Sequence, residues 1–261
     1  MTKLYKILYT SKKLLLGMLI IISVQNILAK EKIIAKVPEA SGIAYSYKSN
    51  TLFAVNDEGS IYELSLEGEI LRKEKIGKYD LEGIAIDDKN DLILLAIEGD
   101  DEILVLSKKK FKEKHKISIK RTYEGVKVLK KGDDGLEGLA LYKNKLYASN
   151  QSNKRYPKED SSVIVVMDYD LKKNKQKIKS IIDHGFIDIA GLTFYNDILF
   201  MVSDKENLLI QYDIKLNKVI KKEKLSKEFA QEGITFDDKG NLYIADDKGQ
   251  ILKIKKYYKN K

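Results

Sequence analysis

Five copies of one glycine-centred motif constrain this chain more than any other feature of its sequence. Ala40-Ser41-Gly42-Ile43-Ala44-Tyr45 opens the first copy, and Leu81-Glu82-Gly83-Ile84-Ala85-Ile86 opens the second. Leu136-Glu137-Gly138-Leu139-Ala140-Leu141, Ile189-Ala190-Gly191-Leu192-Thr193-Phe194 and Gln231-Glu232-Gly233-Ile234-Thr235-Phe236 open the other three. The glycines stand 41, 55, 53 and 42 residues apart. Each opening passes through a short polar turn into a second apolar run, at 51–55, 92–97, 145–149, 198–202 and 241–245. In four copies an acid-rich turn follows, at 56–60, 98–102, 203–207 and 246–250, and a third strand comes next. Four copies close on a charged, alternating strand such as 70–76 (ILRKEKI). Alternation bounded by turn residues signals consecutive antiparallel hairpins. Four strands in roughly 40 residues is the unit of a propeller blade.

The expected fold is therefore all-β, a five-bladed β-propeller, with five visible copies favouring five blades over six. The longer spacings hold insertions, one in the Lys-rich stretch 107–134 and one at 150–162 around Pro157. The fifth copy ends after its third strand near Lys256, whereas an orphan strand, 32–37 (KIIAKV), precedes the first motif. Ala35 lies seven residues before Gly42, as Ile76 lies seven before Gly83. The orphan strand thus has the register of an outer strand, and it is expected to complete the last blade and leave no open edge in the ring. Residues 30–261 then form one propeller domain, a common size for a single all-β domain.

Residues 1–29 read as an address. Lys3, Lys6, Lys12 and Lys13 precede the uninterrupted apolar run 14–24, and Ala29 suits a cleavage position. A basic stretch, an apolar stretch of this length and a small residue together mark a secretory signal. Ile27 is large for the position two before Ala29, so the segment serves either as a cleaved signal peptide or as a short membrane anchor. Both alternatives place the propeller in the cell envelope, in the periplasm or held at the plasma (inner) membrane. Of the net charge of +9, four charges belong to this segment, leaving 9 − 4 = +5 on the remainder. That excess is Lys scattered among 39 acids, with only Arg72, Arg121 and Arg155 for bidentate phosphate contacts. Nucleic acid is not an expected partner.

The absence of Cys excludes disulfides, thiolate metal sites and a thiol nucleophile. The sequence has no GxSxG, HExxH or phosphate-binding Gly-Lys loop. His115 lies in a Lys-rich strand and is expected to be solvated; His184 stands a few residues before the fourth motif, where it is either a channel-mouth general base or a structural residue.

The slot before each motif glycine reads Ser41, Glu82, Glu137, Ala190 and Glu232. Innermost propeller strands line the central channel, so this slot forms a ring around the axis. Three glutamates in such a ring repel one another, and either their pKa values rise or a cation sits among them. Oxygen ligands without His or Cys favour Ca²⁺ or Mg²⁺, and irregular geometry favours Ca²⁺. The ends of the second strands add Asn56, Glu98, Asn150, Asp204 and Asp246 near the same face. The metal-free alternative is that the Glu-Gly pairs are turn and strand-start punctuation.

The order Ser-Gly-Ile-Ala-Tyr at 41–45, Leu-Phe-Ala-Val-Asn-Asp-Glu at 52–58, Ile-Tyr-Glu-Leu at 61–64 and Leu-Glu-Gly-Ile-Ala at 81–85 resembles the SdiA-regulated, YjiK-like family. The resemblance runs from Lys32 to about Lys256. It implies a five-bladed propeller distantly similar to NHL-repeat proteins, behind an export or membrane segment. It also implies a bound Ca²⁺ and a link to calcium homeostasis. The motif glutamates match at Glu82, Glu137 and Glu232, while Ser41 and Ala190 depart from the pattern. The expected function is a non-catalytic, Ca²⁺-binding envelope module for a protein or small-ligand partner. The alternative is a Ca²⁺-dependent hydrolase of lactonase, esterase or phosphodiesterase type, with Asn56, Asn150, Asp204 and Glu232 around the metal.

Overall fold

Each motif copy forms an antiparallel sheet whose strands step outward from a common axis. The computed structural model describes residues 31–129 and 135–258. The address segment falls outside the described residues. Among the described residues no helix is long and apolar enough to cross a membrane.

Blade 1 consists of Ala40–Ser46, Thr51–Asn56, Ser60–Leu64 and Ile70–Lys75, in that order from the axis. Blade 2 consists of Leu81–Asp87, Leu92–Ile97, Glu102–Ser107 and Lys112–Lys120. Blade 3 consists of Leu136–Tyr142, Lys145–Asn150, Ile164–Asp168 and Ser180–Ile182. Blade 4 consists of Ile189–Tyr195, Ile198–Ser203, Leu208–Asp213 and Lys218–Lys224. Blade 5 takes Gln231–Phe236, Leu242–Asp246 and Gln250–Ile254 from the chain's end and Glu31–Lys36 from its beginning.

The apolar runs face neighbours on both sides, which is why they barely alternate. Five hydrophobic clusters result, one between each pair of adjacent blades. Phe53, Val55 and Ile61 of blade 1 meet Ile84, Ile93, Leu95 and Leu104 of blade 2, for example. Each fully buried side chain of this size contributes about 1.5–3 kcal/mol relative to exposure. The outer strands lie beyond these layers and are charged: Ile70–Lys75 is mostly exposed along its length.

Ring closure follows the expected register. Glu31 pairs with Ile254, Lys32 with Lys253 and Lys36 with Gln250, with a bulge between Ile33 and Ala35. The Val37 N–H donates to the Gly249 carbonyl at 3.1 Å. Val37 and Ala35 join the cluster shared by blades 5 and 1.

Two expectations need correcting. Most of the Lys-rich stretch after Ser107 is no insertion: Lys112–Lys120 is the outer strand of blade 2, and the insertion proper begins with the small hairpin Thr122–Tyr123 and Val126–Lys127. His115, on that outer strand, is half-buried rather than fully solvated. One strand is additional. Lys175–Lys177, from the blade 3 sequence, pairs in parallel with Ser118–Lys120 and so straps blade 3 to blade 2.

The motif glycines mark where the blades meet at the axis. A Cβ on Gly42 would lie within 3.0 Å of the Glu82 carbonyl, and one on Gly83 would strike the Glu137 carbonyl. Gly138 abuts the backbone of Ala190, Gly191 that of Glu232, and Gly233 that of Gly42, completing the circle. These neighbours are backbone atoms and cannot rotate away. Gly83→Ala is expected to destabilise by about 1–3 kcal/mol through overpacking, read as a lower urea midpoint. Deleting residues 31–37 exposes the edge of Gln250–Ile254; the expected result is loss of a single cooperative melt, and an unchanged melt would refute closure by this strand.

Candidate metal centre

Every innermost strand carries the same irregularity. The register shifts between Ala40 and Gly42, Leu81 and Ile84, Leu136 and Leu139, Ile189 and Gly191, and Gln231 and Gly233. The residue before each glycine lies within this shift. A bulge leaves one residue out of the ladder and re-aims its side chain. Ser41, Glu82, Glu137, Ala190 and Glu232 are those residues, so the bulge and the glycine together build the axial ring.

The structure brings the three glutamates into one electrostatic cluster. Glu137 is buried, and Glu82 and Glu232 are partly buried. Burial, then Asp80, Glu232 and Glu98, hold the Glu82 carboxyl well above the usual range. Burial, then Glu82, Glu232, Glu98 and Asp188, do the same to Glu137. Glu232 is pushed up to about 8 by burial, then by Asp204, Asp188, Asp247 and Asp246. Carboxylate oxygens of Asp80, Glu82 and Glu98 lie within 4.8 Å of one another, close enough to share one cation.

The second-strand residues divide into two registers. Asn56, Ile97, Asn150, Ser203 and Asp246 occupy equivalent positions, each opposite the residue two before a motif glycine. This slot serves turns. Asn56 accepts from the Ser60 N–H at 2.8 Å and donates to the Pro38 carbonyl at 3.0 Å. Asn150 donates to the Ser161 carbonyl at 2.9 Å, tying down the blade 3 insertion. Asp246 accepts from the Ala230 N–H at 2.8 Å. One residue further on stand Asp57, Glu98, Asp204 and Asp247, of which Glu98, Asp204 and Asp247 raise the pKa values of the axial glutamates. Asp204 still accepts from the Gln231 N–H at 3.1 Å, and burial and Asp188 raise its pKa.

Residues 23–248 match the SdiA-regulated family. The chain belongs to the SdiA-regulated family. No curated protein matches it. Among solved structures, Myxococcus xanthus glutaminyl cyclase is similar at TM-score 0.63 and 14% identity, over 85% of this chain and 94% of that one. Hydrazine synthase of Kuenenia stuttgartiensis gives TM-score 0.50 at 14% identity, over 80% of this chain and 56% of that one. A nidogen/laminin complex chain gives TM-score 0.50 at 14% identity, over 75% and 67% respectively. At this identity the likeness concerns the fold alone.

In this SdiA-regulated propeller the donors around the axis fit a hard cation. They are carboxylates and amides, without His or Cys. Oε2 of Glu232, Oδ2 of Asp246, Oδ1 of Asp57 and Oδ1 of Asn150 are buried acceptors with no hydrogen-bond partner. A buried acceptor without a partner is costly, and a cation satisfies it. Asp57 is pushed up to about 6 by burial, then by the nearby Glu39 and Asp80 carboxylates. His184 is buried; its Nδ1 accepts from the Phe186 N–H at 3.2 Å, and burial, then Arg155, lowers its pKa to about 4.

Asp80 and Asp188 were missed by attention to the slot before the glycine. Both lie three residues before a motif glycine, in a slot that reads Glu39, Asp80, Gly135, Asp188 and Ala230. Three acids in five copies is a signal visible in the sequence.

The pH dependence of the metal-free protein follows. A carboxyl whose folded pKa is raised binds more protons folded than unfolded, so stability falls as pH rises above its unfolded value. For Glu232 the window runs from about 4.3, the unfolded value, up through about 8. In EGTA the melting temperature is expected to fall between pH 5 and pH 9, and Glu232→Gln is expected to flatten that fall; a rising curve would contradict the buried-carboxylate account.

Proposed function

We propose that this protein is a Ca²⁺-binding propeller of the cell envelope, exported by residues 1–29, that acts as a non-catalytic module for an envelope protein or small ligand. The supporting observation is the convergence of Glu82, Glu137 and Glu232 from separate blades among further acids, with orphaned carboxylate oxygens. Asp80, Glu82 and Glu98 would hold the cation from one side, and Glu137 and Glu232 from the ring. Ca²⁺ accepts about six to eight oxygen ligands in flexible geometry, which suits donors arriving from unequal positions. When bound, the ion supplies the positive charge that lets these carboxyls ionise together. It also adds a link among separate blades at the axis, where the glycine contacts hold them together. A role in calcium homeostasis is consistent with a weak site, since extracellular Ca²⁺ modules bind at about 10⁻⁴–10⁻³ M.

The rival reading is a Ca²⁺-dependent hydrolase. The similarity to a glutaminyl cyclase motivates an enzymatic control. The decisive experiment compares melting of the full-length protein in EGTA, in Ca²⁺ and in Mg²⁺. Ca²⁺ at 100 times its Kd is expected to add about 2.7 kcal/mol, more than Mg²⁺ adds, and Glu82→Gln, Glu137→Gln and Glu232→Gln are each expected to reduce the gain. No shift with either metal would overturn the proposal. EGTA-sensitive turnover of lactone, phosphodiester or aryl-ester substrates would replace it with the enzyme.

A further inference from the structure

The two ends of the axis are chemically different. The residue after each motif glycine is aliphatic: Ile43, Ile84, Leu139, Leu192 and Ile234. Together with the glycines they line a waist of only about 10 Å³. That is at the lower limit of what a single water needs, about 10–15 Å³. The axis is thus narrow at this waist, which lies between the acidic mouth and the opposite one.

Beyond the waist the strands diverge around a second cavity of about 350 Å³. The five aliphatic side chains form its floor. Its walls include Tyr47, Tyr142 and Phe194, and its rim includes Asp88 and Asp197. Tyr142 and Phe194 stack with centroids 4.0 Å apart and planes inclined by 6°. Tyr47 meets Tyr45 edge-on at 4.8 Å and is 63% exposed, so its other surface is free. Tyr142 and Phe194 pack against the cluster between blades 3 and 4, whereas Tyr47 is an exposed ring; rings flanked by polar groups are what a ligand pocket presents.

The charges at the rim select among ligands. Asp88 pairs with Lys108 and accepts from the Ser46 hydroxyl at 2.6 Å. Asp197 pairs with Lys143 at 3.1 Å and Lys215 at 3.5 Å, and it also accepts from the Tyr142 hydroxyl. An organic cation would have to displace these lysines. An anion would meet carboxylates. A paired carboxylate nevertheless keeps acceptor capacity, having about four lone-pair sites. A purely apolar ligand would leave that rim desolvated.

We propose that this second mouth binds a neutral saccharide. The C–H face of a sugar ring stacks on the free surface of Tyr47, and its hydroxyls donate to the lysine-paired carboxylates at the rim. The cavity lies near the lower end of the range for small-molecule sites, about 300–1,000 Å³, which matches one or two sugar rings. The site is distinct from the acidic mouth, since none of Glu82, Glu137 and Glu232 lines this cavity.

Saturation-transfer NMR of the full-length protein with maltose, cellobiose and di-N-acetylchitobiose tests the proposal, with tetramethylammonium as the cationic probe. At least one disaccharide is expected to bind, and tetramethylammonium is not. Tyr47→Ala and Asp197→Asn alter exposed side chains, and each is expected to weaken binding at least fivefold without lowering the melting temperature. Three outcomes would overturn the proposal: no transfer to any saccharide, equal affinity in both variants, or binding of tetramethylammonium in place of the sugars.

Discussion

The close approach of five backbones at the axis is the constraint on which the rest of this structure depends. Each motif glycine touches the backbone of the next blade, and the last touches the first. A side chain at any of these positions would push two blades apart. Because the blades converge this tightly, their inner strands have no room for flat pairing along their full length. The ladder breaks at the same place in every blade, and the released residue lies at the channel. Packing geometry and site chemistry thus share one origin. The glycine lets the strands meet, and the bulge beside it presents the glutamate.

That arrangement concentrates like charges where solvation is poorest. Three glutamates face one another with Asp80, Glu98, Asp188 and Asp204 around them. The interblade clusters can carry the strain, since five apolar layers hold the ring together. The outer surface, by contrast, is rich in lysine: Lys218–Lys224 alone contributes Lys218, Lys221, Lys222 and Lys224. The molecule is polarised radially, acidic on one end of the axis and basic at the perimeter.

Blade number and closure were legible because they rest on repetition. The motif recurs in fixed order, and the spacing from Ala35 to Gly42 repeats that from Ile76 to Gly83. The axial glutamates were legible for the same reason. The second-strand donors were less so. Asn56 and Asp246 share one register and Glu98 and Asp204 the next, and only the hairpin pairing shows which slot caps the turn. Lys112–Lys120 looked like an insertion because its first five residues carry no aliphatic side chain, and only Ile117 and Ile119 alternate inward. The strap Lys175–Lys177 is three residues long with no pattern of its own, and its partner lies in another blade. The aromatic mouth was hidden because its tyrosines sit in strands, where the same residues also serve packing.

The pairing of Glu31–Lys36 with Gln250–Ile254 carries a consequence for biosynthesis. The first strand of the propeller to leave the ribosome is the last to find its partner. Until the final blade emerges, this strand has nothing to pair with, and four blades stand as an open arc whose first and last members show bare apolar faces. Contacts between segments so far apart in sequence form slowly, and unpaired edges invite association with other chains. The waiting strand is guarded accordingly: Lys32 and Lys36 flank its apolar centre, and charge of this kind discourages pairing with the wrong edge. The ring is thus completed only after translation has passed its last blade, as a single late event rather than blade by blade.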